Sequence, residues 1–487
     1  MPRFNPRRQT PILDKPDTTN LAGGEAYTES PELELASILF TSFVQDQFYR
    51  SADDGIRRVR ELLDEVDPLF AAKTAVHART KYHMRSITHV IAAEIVHRVK
   101  GEQWTRPFIR TVVQRVDDMT EIMAYYMQTF GVRPVPNALK RGLADAFGKF
   151  DAYQLARYRG EGNAVKLVDV VNLVRPKGNE KNSDAFRQLV AGELRQTETW
   201  EAKMSATEGD AEAKAEVWKQ QLESGRIGYM ALVRNLRNIL QQAPELTLKA
   251  CVLLEDGDRV RGSRMLPFRF VTAIEEISKL SGAEARKVVM SLSVAAEMSL
   301  ANVPDLDGET VILLDHSGSM NMGNKPAINI GSLFTAIMAK KMGADVIVFD
   351  TKAAYRQYNP NDSVLTIRDQ FVAGSWGGGT NFQIGIETMN RKYDRIIILS
   401  DMQPWIGMDR WGFSGSDPAP ALAAYQRRTG AKPKVFSFDL AGYGTLQVPQ
   451  RDVYALAGFS DRVFDVMKML EEDREAMLND IRAVQFE

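Results

Sequence analysis

The chain has 487 residues and a net charge of −1, and 44% of its residues are hydrophobic, which is the composition of a folded globular protein with room for two cores. Its single cysteine, Cys251, excludes an intramolecular disulfide and a cysteine-cluster zinc site, and fits a reducing compartment. No apolar run reaches the roughly 18 residues of a membrane-spanning helix, and no apolar stretch follows the basic N-terminus, so we expect a cytoplasmic protein without membrane contact.

The low net charge hides an uneven distribution along the chain. Residues 1–304 carry 43 Lys and Arg against 40 Asp and Glu, whereas residues 305–487 carry 19 against 23. Within residues 57–115 the basic residues outnumber the acidic ones by 12 to 6. Such clustering can attract a polyanion, although a local charge excess on helices is also a common solvated face.

The first two thirds of the chain have a helical pattern. Residues 1–30 are rich in Pro, Thr and Gly, which predicts an extended N-terminal arm. From 31 to 304 apolar residues recur at intervals of three and four, and many short helices joined by short loops indicate an all-α domain of stacked, HEAT-like helical pairs. Four of the predicted helices cover residues 56–66, 69–79, 87–100 and 108–130.

The pattern changes near residue 305, where strands begin to alternate with helices. Alternation of this kind predicts a parallel sheet flanked by helices, so we expect a doubly wound α/β domain over residues 305–487. Ligands of such sheets bind at the carboxyl ends of strands, at the point where the strand order reverses. The predicted strands cover 310–315, 345–349, 395–400 and 434–440, with helices over 325–342 and about 462–484.

Oxygen-bearing side chains follow two of these strands. The motif Asp315-His316-Ser317-Gly318-Ser319 begins where the first strand ends, Asp401 ends the strand 395–400, and Thr380 follows three glycines. Such ligands suit a hard cation, and Mg²⁺ prefers few protein ligands plus retained waters. The arrangement resembles the metal-ion-dependent adhesion site of a von Willebrand A-type domain. The expected ligands of Mg²⁺ are Asp315, Ser317, Ser319, Thr380 and Asp401, with one position open to a partner's carboxylate or phosphate oxygen.

A catalytic role for this site has less support. No lysine or further acid near these strands forms an obvious acid–base pair, and His316 is expected to point away from the site. One hydroxyl-rich site also lacks the paired metals or the base that phosphodiester cleavage usually uses. We therefore predict that the protein is not an enzyme, with a metal-dependent hydrolase or nuclease as the third hypothesis.

Three segments place basic residues among apolar and aromatic ones: residues 153–176, residues 230–240 on a helix, and residues 259–269 in a turn before the next helix. The order of these segments and of the C-terminal metal motif resembles the Ro autoantigen family, whose helical part is called the TROVE module. Two further stretches also resemble that family: Asn20-Leu-Ala-Gly-Gly24 and Ala78-Arg-Thr-Lys-Tyr82. The resemblance runs from about residue 18 to the end of the sequence. It implies a ring of HEAT-like repeats with a basic central hole, whose ends are brought together by the A-type domain.

The resemblance also implies a function. In that family the outer basic surface holds a small structured noncoding RNA of the Y type, and the hole accepts single-stranded 3′ ends of misfolded or decaying RNA. In bacteria the Y RNA can tether a 3′ exoribonuclease. We therefore expect a monomeric ribonucleoprotein scaffold for noncoding-RNA quality control, because Arg and Lys contacts to phosphate supply most sequence-independent affinity. The expected outer RNA site includes Lys140, Arg141, Arg157, Arg159 and Lys166, and the expected hole residues are Arg79, Lys81, Arg85, Arg234 and Arg264.

Each of these interpretations has a competitor. Any one of the basic side chains can instead belong to a solvated face or a salt bridge, and Tyr82 and Tyr158, which could stack on bases, are more often core residues. The alternative function is a metal-dependent protein-interaction adaptor that works without RNA. In that hypothesis the helical array binds a protein, and the metal site captures an acidic side chain of the partner.

Overall fold

A computed structural model describes most of the chain. Most of the predicted N-terminal arm, residues 1–30, lies outside the described residues, including Asn20 to Gly24. Within the arm, β1 (Thr18–Thr19) and β2 (Glu25–Ala26) form an antiparallel pair. The described residues are 18–19, 25–26, 30–41, 52–132, 134–160, 163–194, 200, 203–204, 207, 210–225, 227–322, 326–374, 377–401, 418–440, 453–457, 463–472 and 474–487.

Helices form nearly all of the described secondary structure between residues 31 and 302, as the periodicity predicts. Helices that are close in the sequence pack on one another, either directly consecutive, as α3 on α4 and α15 on α16, or one helix apart, as α5 on α7. Among the described residues, no helix combines the length and the apolar content needed to cross a membrane. The helices are α1 Pro31–Thr41, α2 Ala52–Glu65, α3 Pro68–Thr80, α4 Ser86–Arg98, α5 Thr105–Val112, α6 Val116–Phe130, α7 Asn137–Ala146, α8 Ala152–Arg157, α9 Leu167–Val174, α10 Ser183–Ala191, α11 Ala211–Glu223, α12 Tyr229–Gln242, α13 Thr247–Leu254, α14 Gly257–Ser263, α15 Pro267–Ser278 and α16 Ala283–Met298.

One predicted helix, residues 108–130, is wrong, because the structure divides it into α5 and α6. The break results from the buried carboxylate of Asp118, the third residue of α6. Its Oδ2 accepts the backbone N–H groups of Gln114 and Arg115, each at 2.9 Å. These donors are thereby taken from the helical ladder, so α6 begins as a capped, separate helix.

The C-terminal domain is built on a six-stranded sheet. Its strand order is β5-β4-β3-β6-β7-β8, and all neighbours are parallel except the edge pair β4 and β5. The strands predicted at 310–315, 345–349 and 395–400 are confirmed, whereas β5 and β8 were not predicted. The strands are β3 Thr310–Asp315, β4 Asp345–Phe349, β5 Ala353–Tyr355, β6 Arg395–Ser400, β7 Lys434–Asp439 and β8 Val453–Ala457. The helices are α17 Ala327–Met342, α18 Val364–Ala373, α19 Phe382–Thr388, α20 Pro418–Thr429, α21 Val463–Glu472 and α22 Arg474–Arg482.

Both faces of the sheet are buried, which explains its continuous apolar strands. In β3 the side chains alternate: Ile312 and Leu314 face one core, while Val311 and Leu313 face the other. The second core includes Phe382 of α19 and residues of α20. The first core is continuous with the core of helices α1 to α10. The domain is therefore doubly wound, and one of its faces joins it to the helical array.

Both ends of the helical array lie on this α/β domain. At one end α1 packs against β8 and α21. At the other end Phe268 of α15 stacks on Phe464 of α21, with ring centroids 6.3 Å apart. The last residues extend the contact, since the backbone N–H of Glu487 donates to the Thr111 hydroxyl at 2.8 Å. The array is thereby closed through the α/β domain, as the resemblance implied.

Candidate metal site and nucleic-acid interface

The proposed metal ligands meet at the switch point of the sheet, where β3 lies between β4 and β6. Asp315, at the end of β3, is buried, and its two oxygens are already oriented by hydrogen bonds. Oδ1 accepts the backbone N–H of Ser317 at 2.7 Å, and Oδ2 accepts the hydroxyl of Ser400 at 2.6 Å. Because Ser400 ends β6, this bond ties the two strand ends together and places Asp401, the next residue, beside Asp315.

The glycine-rich loop before Thr380 is fixed directly onto the motif. The N–H of Gly318 donates to the Gly378 carbonyl at 2.8 Å, and the N–H of Gly377 donates to the His316 carbonyl at 2.9 Å. A Cβ on Gly318 would lie only 3.1 Å from the Gly377 oxygen, so glycine permits this close approach. The loop brings the buried Thr380 to the same edge as the Ser317 and Ser319 hydroxyls, which lie 3.2 Å apart.

Sequence reasoning missed two residues that shape the site, Ser400 and Asp350. Asp350 follows β4, and its Oδ2 accepts the N–H of Gly378 at 3.1 Å while its carbonyl accepts the N–H of Asn381 at 3.0 Å. A Cβ on Gly378 would lie 2.5 Å from that carboxylate, so the glycine is required there as well. Both residues could have been found, because each lies at the carboxyl end of an apolar strand beside the motif.

The electrostatics of the site fit a cation. Burial and, to a smaller extent, the charge of the nearby Asp401 raise the pKa of Asp315 to about 7, against the opposing effect of the hydrogen bonds from Ser400 and Ser317. Two buried carboxylates in contact with little water are stabilised by a positive ion between them. No cluster of three or more His, Cys, Asp or Glu side chains able to hold a metal occurs among the described residues. Any ion here would therefore depend on the three hydroxyls as well as on the two carboxylates.

The residues predicted for the outer RNA surface lie on neighbouring helices. Arg141 of α7, Arg157 of α8 and Lys166 at the start of α9 are exposed, and Lys140 is half-buried. Arg159 is half-buried as well, and its guanidinium donates to the Leu194 carbonyl. Nearby acids have other roles: Asp145 pairs with Arg106, and Asp151 and Asp169 accept backbone N–H groups at the starts of α8 and α9.

Tyr158 lies within this surface, and Tyr82 does not. The Tyr158 ring lies between two guanidinium groups, with Arg115 at 4.9 Å and Arg157 at 5.5 Å from its centroid. Tyr82 stacks on the buried Phe40, with centroids 4.7 Å apart, and packs against the core. Both rings pack against the core, as expected, and Tyr158 in addition makes cation–π contacts with the two guanidinium groups.

The residues predicted for the central hole are not equally accessible. Arg79 is only 4% exposed, and its guanidinium donates to Asp118 at 2.8 Å, so it is a structural group and we omit it from the proposed RNA site. Arg85 is partly exposed and pairs with Asp117 at 2.8 Å. Lys81 is exposed and pairs with Asp480 of α22 at 3.1 Å. Arg234 and Arg264 are exposed on α12 and at the end of α14.

Comparison with known proteins gives similarity at two levels. The TROVE domain model matches residues 41–192 and 182–313. Telomerase protein component 1 of Mus musculus is 22% identical over 354 residues, which cover 54% of this chain, and the protein of Rattus norvegicus is 21% identical over the same length. The chain spans only 13% of the length of each of these two relatives.

A second group of relatives is similar over nearly the whole chain. The RNA-binding protein RO60 of Deinococcus radiodurans is 21% identical over 521 residues, covering 95% of this chain and 96% of that protein. The crystal structure of the RO (RSR) protein of Deinococcus radiodurans matches with a TM-score of 0.67 at 18% identity, covering 91% of this chain and 99% of the other. This chain and the RO (RSR) protein therefore share their fold. Because the TROVE model covers more than half of the sequence, this chain belongs to the TROVE domain family.

Proposed function

We propose that the protein is a non-catalytic RNA-binding scaffold of a ribonucleoprotein. The observation that carries the proposal is the basic surface formed by α7, α8 and α9, in a chain whose full-length relative is named an RNA-binding protein. Residues 137–187 contain ten Lys and Arg against six Asp and Glu, and several of the acids are committed to caps and ion pairs. Exposed cations of this surface, such as Arg141 and Lys166, can therefore bind phosphates.

The finer proposal assigns two kinds of RNA to two surfaces. A small structured Y-like RNA binds through Lys140, Arg141, Arg157, Arg159 and Lys166. Single-stranded 3′ ends of misfolded RNA bind in a central hole through Lys81, Arg85, Arg234 and Arg264. A monomer of this kind in the cytoplasm would present both RNAs together, and a 3′ exoribonuclease tethered through the Y-like RNA would act on the second.

The outer surface is tested by matched triple variants. Lys140→Ala, Arg141→Ala and Lys166→Ala remove one half-buried and two exposed cations, and Lys392→Ala, Arg427→Ala and Lys432→Ala remove three exposed cations from the α/β domain. Binding of a structured small RNA is measured over a range of salt concentrations. We expect the first variant to reduce the magnitude of the negative slope of log K against log salt concentration by roughly 2 to 3, and the control to keep the wild-type slope. Equal slopes in all three proteins would refute the outer site.

The hole is tested with a pair of RNAs that differ only in a single-stranded 3′ tail. Wild-type protein should bind the tailed RNA more tightly, because only a free single strand can enter a narrow hole. Changing Lys81, Arg234 and Arg264 to Ala should remove this preference and leave binding of the blunt RNA unchanged. A wild-type protein that binds both RNAs equally contradicts the proposal for the hole.

We propose further that Asp315, Ser317, Ser319, Thr380 and Asp401 hold Mg²⁺. The fit of the donor set supports this, since two buried carboxylates and three hydroxyls at one sheet edge match a hard cation. A bound ion would neutralise the carboxylates and offer a position to an acidic group of a partner. If the protein carries no RNA and instead retains a protein partner that EDTA releases, the adaptor function replaces the scaffold.

A further inference from the structure

An open groove lies between α9 and α10, at the end of α9 that is distant from Lys166. Its volume is about 740 Å³, within the range of pockets that hold small organic groups. The lining includes Val171, Asn172, Arg175, Phe186, Arg187 and Val190. The groove adjoins the basic surface of α7, α8 and α9, but none of its lining residues is among those assigned above to an RNA.

The groove has an apolar floor and wall. Phe186 is buried, and its ring is held edge-on by Phe147, with centroids 5.4 Å apart and an interplanar angle of 88°. Val171 is also buried, whereas Val190 is 54% exposed on the wall. A flat apolar group in the groove would cover Val190 and lie against the wall that contains Phe186. Binding would be favourable because it buries apolar area.

The rim of the groove is cationic. Arg175 and Arg187 are both exposed there. Arg187 forms an exposed ion pair with Asp184 on the same helix, whereas in the described part of the chain Arg175 has no acidic partner within ion-pair distance. Arg175 ends α9 in the left-handed conformation, with φ 49° and ψ 64°, while its N–H donates to the Val171 carbonyl at 2.8 Å. This conformation is rare for a residue with a side chain, and it sets the direction in which the Arg175 side chain projects from the backbone.

We propose that this groove takes an unpaired nucleobase of a single-stranded RNA segment, with Arg175 and Arg187 on the flanking phosphates. The inference rests on the proposed RNA binding and deepens it. A phosphate alone would need no apolar floor, and an apolar peptide side chain would need no pair of guanidinium groups. A nucleotide uses both, because bases stack on aromatic and guanidinium planes while their phosphates pair with arginine.

Two further features fit a nucleotide. Asn172 is exposed at the groove and offers an amide donor and acceptor, which a base edge can use. Lys166 precedes the first residue of α9, and the groove lies at the other end of this eight-residue helix. At a rise of 1.5 Å per residue the two are about 12 Å apart, so one RNA strand can contact both.

The test compares a 12-nucleotide oligouridine RNA with the same 12-mer in which the central six residues are abasic. The full-length protein is used, and affinities are measured by fluorescence anisotropy at low salt. Val190→Lys obstructs the groove but adds a positive charge, so loss of base binding cannot be confused with loss of phosphate attraction. Gln188→Lys is the matched control, because Gln188 is exposed on the same helix and does not line the groove.

We expect wild-type protein and Gln188→Lys to prefer the base-containing RNA by at least about fivefold, which is the low end for stacking one base. Val190→Lys should lose about fivefold of that preference while binding the abasic RNA as well as wild type or better. An unchanged preference in Val190→Lys overturns the proposal. A wild-type preference near 1 also overturns it and leaves an apolar protein side chain as the occupant. If no protein binds either RNA, the RNA-binding function itself fails.

Discussion

Asp118 is the residue whose loss should damage the helical array most, and the structure allows the damage to be estimated. Its carboxylate is fully buried and accepts hydrogen bonds from Arg79 at 2.8 Å, from His89 at 2.9 Å and from two backbone N–H groups. These contacts hold the pKa of Asp118 well below its usual range against the opposing effect of burial. The carboxylate is therefore ionised and compensates the buried charge of Arg79.

Asp118→Ala would leave Arg79 buried without its counter-ion and would free the donors that separate α5 from α6. Breaking a buried ion pair by removing one partner costs about 3–5 kcal/mol. With a urea dependence of roughly 2–3 kcal/mol per molar, the midpoint of the helical unfolding transition should fall by about 1–2 M.

The control is Asp258→Ala, which removes the 92% exposed partner of Arg261. Surface pairs of this kind contribute little, so its midpoint should stay close to that of the wild type. Both variants are followed by circular dichroism at 222 nm in urea. If Asp118→Ala shifts the midpoint no more than Asp258→Ala does, the carboxylate does not compensate Arg79 and the reasoning is refuted.

Three further predictions concern acid, metal and the contact between the domains. Burial lowers the pKa of His77 to about 4, below its ordinary value of 6.5, so the stability contributed by the neutral imidazole is full above pH 6.5 and should fall by about 2 kcal/mol by pH 5. Burial also lowers the pKa of His316 to about 4, so thermal melts of a His77→Gln variant should show a loss of stability that is smaller than that of the wild type by about 2 kcal/mol. Mg²⁺ should raise the melting temperature of the wild type but not that of Thr380→Val. Thr388→Val is the control, because the Thr388 hydroxyl donates to a carbonyl within α19, and its melting temperature should rise as in the wild type. Equal shifts in all three proteins would exclude Thr380 as a ligand. The Phe486 ring packs on Phe108, with centroids 5.5 Å apart. Phe486→Ala should therefore lower the free energy of unfolding by about 1–2 kcal/mol and speed proteolysis between the domains. Gln485→Ala, at an exposed position, should do neither.

The α/β domain could be predicted closely because its signals are local. A short apolar run such as β3, in a segment where strands alternate with helices, indicates a buried strand of a parallel sheet, and Asp315 at its carboxyl end marks the ligand-binding edge. Ser400 and Asp350 were missed because their roles depend on hydrogen bonds to residues on other strands and loops. Their positions at strand ends could have marked them as candidates, but the sequence of one strand does not show which residues they bond to.

The helical array was harder to predict for the same reason. Periodicity predicts helices but not their ends, so the break at Val113 to Arg115 depends on Asp118, a residue that reads as an ordinary helix position. Periodicity also cannot tell which arginines are accessible. Arg79 and Arg141 have the same chemistry, yet a buried aspartate holds one inside the core and the other is exposed. Only three-dimensional packing separates a structural cation from one that can bind RNA.

RNA binding by this protein is best tested by sequencing the nucleic acid that co-purifies with the tagged protein after stringent salt washing. We expect one abundant small structured RNA, with a lower level of assorted RNA fragments that carry single-stranded 3′ ends. A protein that purifies free of nucleic acid, judged by its ratio of absorbance at the nucleic-acid and protein maxima, would contradict the RNA scaffold.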